Sequence, residues 1–363
     1  MRNILALLLL FPLAQLNAQD VSFRKVELKL LKKELKNNPK ARDIVKEFES
    51  RAEKALTDAP DPIKLIQSQG LLMGNPAKMS SLKSLGDVNK IFALSLMYRL
   101  KGERKYLNKA VEFLKAWARE NKPDGNPINE TKLEDLVFGY DLIRKALSIN
   151  DRKLIDAWLD AMATAEVNHP SGKGNKGTAV NNWNSHRIKM MTMINYVLKE
   201  GKYDKIVENE LNRQLEVNLN PDGSTHDFYE RDALNYHIFS VEPLLKTAIV
   251  IQRATGKNYF TIESSKGGSI KKSTDFLVPF MTGAKTHKEF QNSKVEFDRQ
   301  RANNNEKGFI VANFIPSKGV VALVTADYFD PAYLEVIKKA SGDEDYMEWQ
   351  LLVNKVRRRA EGK

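Results

Sequence analysis

Cysteine is absent from the 363 residues. That excludes disulfides, thiolate metal sites, a cysteine nucleophile and a lipidated N-terminal cysteine. Histidine is scarce, with five in all. His169, His226 and His287 show no ligand spacing, so neither a metal site nor another cofactor is expected. Few segments alternate with period two, which leaves little for a β architecture. Long apolar runs are missing beyond the first twenty residues, so no membrane span is expected. No stretch reads as a linker that would split the chain.

Hydrophobic residues make up 42 % of the chain, enough for a sizeable core. The start, MRNILALLLLFPLAQLNAQD, joins a positive Arg2 to an apolar run from Ile4 to Leu13 and a small Ala18. This is the pattern of a secretory signal peptide, too short to span a bilayer. Residues 1–18 are therefore expected to be removed, and 19–363 to form a single catalytic domain that is secreted or periplasmic. Lysine and arginine number 58 against 46 acids, a net charge of +12. Removal of residues 1–18 takes away Arg2 alone. An exported basic protein meets little nucleic acid. Its positive field concentrates polyanions, and anionic polysaccharide is the expected partner.

Helical periodicity dominates. Lys25–Asn37, Ala41–Ala55, Val88–Leu100, Lys105–Arg119, Leu133–Leu147, Leu154–Val167, Ile188–Leu198, Tyr203–Val217 and Ala233–Ala254 carry apolar residues at three- and four-residue spacing. Gly or Asn at 102, 150, 201 and 256 recurs about every fifty residues, where a left-handed helix cap fits. That period is two helices plus turns, and it predicts an all-α chain of antiparallel helix pairs: a solenoid or an incomplete (α/α) toroid. Residues 67–87 read as a long surface loop, a possible lid. Residues 262–310 could hold another loop. Gly319–Tyr328 is either a short strand pair or a buried helix, while 330–339 and 345–358 read as helices.

Two stretches stand out chemically. NNWNSHR, residues 181–187, opens the helix at Ile188 without one leucine or valine. Asn181 is the expected N-cap. Asn182 and His186 lie four apart, on one face, ~5–6 Å between Cβ atoms. The helix N-terminus adds free N–H groups that favour a carboxylate. The second stretch is GSTHDFYERDALNYHIF, residues 223–239. Asp232 is placed to cap the helix at Ala233, Tyr236 and Ser240 share a face, and Tyr229 and Arg231 lie just ahead. Arg231 and His237 are expected to lower the Tyr236 phenol from its usual pKa of ~10. An amide and a guanidinium can neutralise a uronate carboxylate, making its C5 proton acidic. An imidazole and a phenol can take that proton and deliver one to the C4 oxygen. Those are the requirements of β-elimination, and no metal is needed.

In GDVNKIFALSLMYRLKGERKY, GNPINETKLEDLVFGYDLI, the NNW string and RDALNYH, in this order between Gly86 and Tyr259, the chain resembles the alginate lyase superfamily of polysaccharide lyases. These are helical toroid enzymes that cleave polyuronates. The NNWNSH form is most similar to polysaccharide lyase family 38, which includes alginate and glucuronan lyases. Matched residue by residue, the resemblance implies Asn182 and Arg231 as carboxylate-facing groups and His186 and Tyr236 as proton carriers. Better-known members read Asn-Asn-His; here Trp183 takes the third place and the histidine comes one turn later, and the spacing from arginine to tyrosine also differs.

Mannuronate and glucuronate carry the C5 proton and C4 oxygen on one side, where Tyr236 could act as base and then acid. Guluronate presents its proton from the other side and would need His186. Lys78 and Lys83 are candidates to meet carboxylates, and Trp117, Tyr140 and Trp183, with Tyr229 and His237, to meet the sugar. One rival reading is an inverting glycoside hydrolase using two of Glu134, Asp135, Asp227 and Glu230, ~6.5–9.5 Å apart. Another is a non-catalytic polysaccharide-binding protein.

Overall fold

The computed structural model describes residues 21–362. The signal-peptide reading of 1–18 lies outside the described residues. The fold is all-α. Helices α1 (Lys25–Asn37), α2 (Pro39–Ala55), α3 (Pro76–Ser84), α4 (Gly86–Lys101), α5 (Arg104–Glu120), α6 (Pro127–Glu130), α7 (Glu134–Ile143) and α8 (Ile149–Asn168) form the first half. The second half holds α9 (Asn182–Leu198), α10 (Asp204–Asn218), α11 (His226–Arg231), α12 (Leu234–Thr255), α13 (Ile270–Met281), α14 (Glu296–Asn303), α15 (Val320–Ala326), α16 (Tyr333–Ser341) and α17 (Trp349–Ala360). Among the described residues the sheet is limited to β1 (Lys288–Glu289) paired antiparallel with β2 (Ala312–Asn313).

Sequence periodicity located the long helices because their apolar stripes face a shared core. In α5, Tyr106, Ala110, Phe113, Leu114 and Trp117 are buried at helical spacing. Gly102 and Gly256 take the left-handed conformation that ends α4 and α12. The expected repeat fails at the other two junctions. Asn150 sits in the first turn of α8, capped by Ser148, and the left-handed cap of α9 is Lys199 rather than Gly201.

Helix α9 packs on α12, α8 and α10, and α4 packs on α7, α5 and α2. Nearly every residue of α9 is buried. It therefore carries no amphipathic stripe, and its polar residues must find partners inside the protein.

The stretch 67–87 is not wholly a loop. It contains α3, whose Asn75 accepts from the Ala77 N–H and whose Pro76 pre-sets the first turn. This helix lacks an apolar stripe, so periodicity passed over it. Residues 262–310 likewise contain α13, capped by Ser269, and α14. The ambiguous segment at 319–328 is a buried helix, α15. The β1–β2 pair closes the base of the excursion 290–311 and brings it back against α12.

Candidate active site

A cleft of about 600 Å³ lies where the start of α9 meets the start of α12. Its walls come from Ser68–Gly70 and α3, from Ile128 and Lys132, and from the 290–309 excursion. Lys78, Lys132, Arg231 and Arg301 line it, and no aspartate or glutamate does. Burial pushes the Lys78 and Lys132 ammonium groups below their usual pKa; for Lys132 the charges of Lys78, Lys189 and Arg301 add to this. The cleft thus holds crowded positive charge that an anion would relieve.

The polar string of α9 is explained by its partners. Asn181 caps the helix, accepting from the Trp183 N–H at 3.0 Å. Asn184 donates to Gln214 at 2.7 Å, and Gln214 donates to Ser185 at 2.9 Å and to the Asn181 carbonyl at 3.1 Å. Arg187 pairs with Glu210 at 2.8 Å. Asn182 faces the cleft, and Asp227 of α11 holds it. One Asp227 oxygen accepts from both the backbone N–H and the amide of Asn182. The other accepts from Asn218 at 2.8 Å and from Ser240. With four donors fixing the carboxylate, the Asn182 amide has a single orientation and a second N–H to offer.

His186 lies one turn below and is only 3 % exposed. Its Nδ1 is 2.9 Å from the Thr131 hydroxyl, and its buried Nε2 has no partner within the protein. The Phe239 ring, which lines the cleft, sits over the imidazole at a centroid distance of 4.1 Å. Burial first, then the charge of Lys189, keeps His186 well below its ordinary pKa and neutral.

Tyr236 projects from the first turn of α12. Its phenol accepts from Arg231 and, at 3.0 Å, from Arg301 of α14. Arg231 also lies over the phenol ring, 3.9 Å from its centroid, and is held by Asp298 at 2.8 Å. Arg301 is stacked on Phe297 and Phe309, 4.2 and 4.4 Å from their centroids. Arg231 ends helix α11 rather than lying in a loop, because Asp232 takes a left-handed conformation at φ 48° and closes that helix. Asp232 does not cap α12. Glu289 does, its carboxylate accepting the Leu234 and Asn235 N–H groups at 2.8 and 3.0 Å.

The expected lowering of the phenol pKa is reversed. Burial raises the Tyr236 pKa, and the charges of Arg231 and Arg301 oppose that rise without overcoming it. His237 takes no part. It is fully buried, bonded to Thr225 and the Ser273 carbonyl, and lowered by burial to about 4.

Of the expected sugar contacts, Lys78 and Trp183 line the cleft. Trp117 and Tyr140 do not: both are buried in the core, their polar atoms bonded to Asp87 and Asp156. Tyr229 points to Asp222 at the surface, and Lys83 pairs with Asp61 there. The carboxylates of the hydrolase reading are elsewhere. Glu134 is tied to Lys189 and Lys246, Asp227 holds Asn182, and Asp135 and Glu230 are absent from the lining. Sequence reasoning missed Lys132, Phe239 and Arg301. Lys132 lies inside the recognised GNPINETKLEDLVFGYDLI segment, where its pairing with the cleft could have been suspected; Arg301 lies in RQRANNNEKGF, which carries no motif. Among the described residues no group of three or more His, Asp and Glu could hold a metal ion.

The Alginate lyase family model matches residues 31–287. No curated protein matches the chain in sequence. An alginate lyase from Bacteroides ovatus shares the fold with a TM-score of 0.66 at 16 % identity, over 90 % of this chain and 97 % of that one. Alginate lyase A1-III from Sphingomonas species A1 matches with a TM-score of 0.57 at 20 % identity, over 73 % of this chain and 79 % of that one. A tyrosine-to-phenylalanine variant of alginate lyase A1-III, complexed with tetrasaccharide, matches with a TM-score of 0.57 at 18 % identity, covering 75 % and 80 % of the two chains.

Proposed function

The chain belongs to the alginate lyase family and is a polysaccharide lyase, and from that premise we propose that it cleaves polymannuronate or glucuronan by β-elimination in the cleft around Tyr236. The observation that carries this reading is the lining itself, with four cations, the Asn182 amide, one phenol and no carboxylate. A hydrolase needs paired carboxylates at the cleaved bond. A polyuronate lyase needs positive charge around the substrate's own carboxylate.

Asn182 and Arg231, with Lys132 close by in the lining, neutralise the C5 carboxylate and stabilise the enolate-like intermediate. Tyr236 takes the C5 proton as phenolate and returns it to the departing C4 oxygen. The C5–H and C4–O bonds break, a C4=C5 double bond forms, and the phenol ends as it began. Arg231 and Arg301 hold the phenolate during its brief charged life. His186 packs behind Phe239 and outside the cleft lining, which supports Tyr236 as the base. This favours mannuronate and glucuronate, whose C5 proton and C4 oxygen share a side. The tetrasaccharide bound by the A1-III variant supports an oligosaccharide-sized partner here. No step requires a metal, since amide and guanidinium groups supply the charge. Export to the periplasm or beyond, drawn from the N-terminal residues, fits a polymeric substrate.

The test is a panel of purified polyuronates followed by ultraviolet absorbance of the conjugated product. The signal should rise on polymannuronate or glucuronan, stay at background on polyguluronate and survive chelator. Cleavage that leaves no absorbing double bond would return the hydrolase reading.

A further inference from the structure

The outer face of α1 carries Lys25, Lys29, Lys32, Lys33 and Lys36, all exposed. With Arg99 they line a shallow groove of about 870 Å³ that contains no carboxylate. An adjoining groove shares Lys32 and Lys36 and adds Arg42 and Lys46; its one acid, Glu49, is paired with Lys101. None of the cleft-lining residues belongs to α1 or α2.

We propose that this lysine face is a second binding surface for polyuronate, which holds the polymer while the cleft cuts it; the inference rests on the polyuronate reading of the cleft. The two acids of α1 point away from the lysines. Glu27 pairs with buried Arg253 at 2.6 Å, and Glu34 pairs with Lys355 and Arg359 at 2.5 and 3.0 Å. None of the five lysines forms an ion pair among the described residues. An ordinary solvated helix face intersperses acids at i,i+4. This one instead sets Lys25 with Lys29, Lys29 with Lys33 and Lys32 with Lys36, like-charge pairs that destabilise a helix. A polyanion relieves that cost.

The spacing suits a polymer with one carboxylate per ring. Lys25 to Lys36 spans ~16 Å, and Lys25, Lys29, Lys32 and Lys36 divide it into three steps of about one turn, ~5.4 Å each, close to the repeat of a pyranose ring. A lipid surface fits less well. Leu28 and Leu31 of α1 are already buried in the core, which leaves Val26 as the one large apolar side chain of this helix that is exposed, too little to anchor it in a bilayer.

The experiment places K29E/K32E/K33E in a Tyr236→Phe background and runs it through gels containing polymannuronate or glucuronan. The Tyr236→Phe protein alone should be retarded. The triple charge variant should lose most of that retardation, and a triple lysine-to-arginine variant should keep it. With Tyr236 intact, the charge variant should show a raised KM on long polymer and unchanged kcat/KM on a tetrasaccharide. Unchanged retardation overturns the proposal, as does an equal loss on the tetrasaccharide. Retained retardation with lost binding to phosphatidylglycerol vesicles overturns it in favour of lipid. Loss of retardation in a protein that forms no unsaturated product from any polyuronate leaves the surface standing and sinks the cleft reading instead.

Discussion

The guanidinium of Arg301 donates to the phenol oxygen of Tyr236 at 3.0 Å, beside the bond from Arg231. Phe297 and Phe309 fix its plane by stacking. Arg301 is thus a preorganised donor aimed at the atom that becomes negative during proton transfer. Arg301→Gln should lower kcat by ~10²–10³, the usual cost of one such donor. Arg301→Lys should recover little, since an ammonium neither stacks nor forks. Steady-state rates on polymannuronate or glucuronan check this; kcat within a few-fold of the parent would remove Arg301 from the mechanism.

The phenol must lose its proton to act as base, and burial holds its pKa above the ordinary ~10. The reactive form is therefore scarce at neutral pH and grows as pH rises. In a pH series, kcat/KM should climb by about tenfold per unit on the neutral-to-alkaline limb. Arg301→Gln should move that limb to higher pH, because one of the charges that lowers the phenol pKa is lost. A profile flat through neutral pH that falls only in acid would point to His186 as base, since that imidazole is already neutral there.

Asp227 reaches no cleft surface, yet it orients the Asn182 amide. Asp227→Asn should turn that amide, because the new side chain offers an N–H where an acceptor stood. A misplacement of ~1 Å costs about 10²-fold in rate. The expected pattern is a matching fall in kcat and in the affinity for product-like uronates, with the circular dichroism spectrum retained. Full activity would show that Asn182 needs no such support.

Glu130 and Glu166 form a buried acid pair beside the cleft. Burial raises the Glu130 pKa to about 8, and burial with the charge of Glu130 raises Glu166 well above the carboxylate range. The two carboxyls hydrogen-bond to each other, which requires a proton between them. The folded state therefore keeps protons that the unfolded chain releases near ~4.3. The stability tied to those protons is complete at pH 4 and is lost as pH climbs towards 8 and beyond. Glu166→Gln should stabilise the fold at pH 8 to 9 by about 1–3 kcal/mol, seen as a higher unfolding temperature, and change it little at pH 5. Melting curves across pH test this, and an equal effect at both ends would contradict it.

Much of the architecture was legible because it rests on local rules. The stripe of Tyr106, Phe113 and Trp117, and the caps at Gly102 and Asn181, follow from spacing and backbone freedom alone. Helix α3 was hidden because the residues it buries at helical spacing, Lys78, Ser81 and Ser84, are polar. At the site, Asn182, Arg231 and Tyr236 came from motifs and do line one cleft. Arg301 reaches it only because the β1–β2 pair folds 290–311 back over α12, a contact between residues 65 apart. Trp117, Tyr140 and His237 show the converse. Aromatic and imidazole side chains are chemically suited to sugars, but composition does not reveal that Asp87, Asp156 and Ser273 hold them inside.

The most direct test of the account is the rate of double-bond formation by Tyr236→Phe on the best substrate of the panel. The substitution removes one oxygen and leaves the ring packed against Phe239 and Phe290. The account predicts a fall of ~10²–10⁴, with unchanged melting temperature and continued binding of polymer. A variant that eliminates at the parent rate would contradict it, for no other phenol lines the cleft.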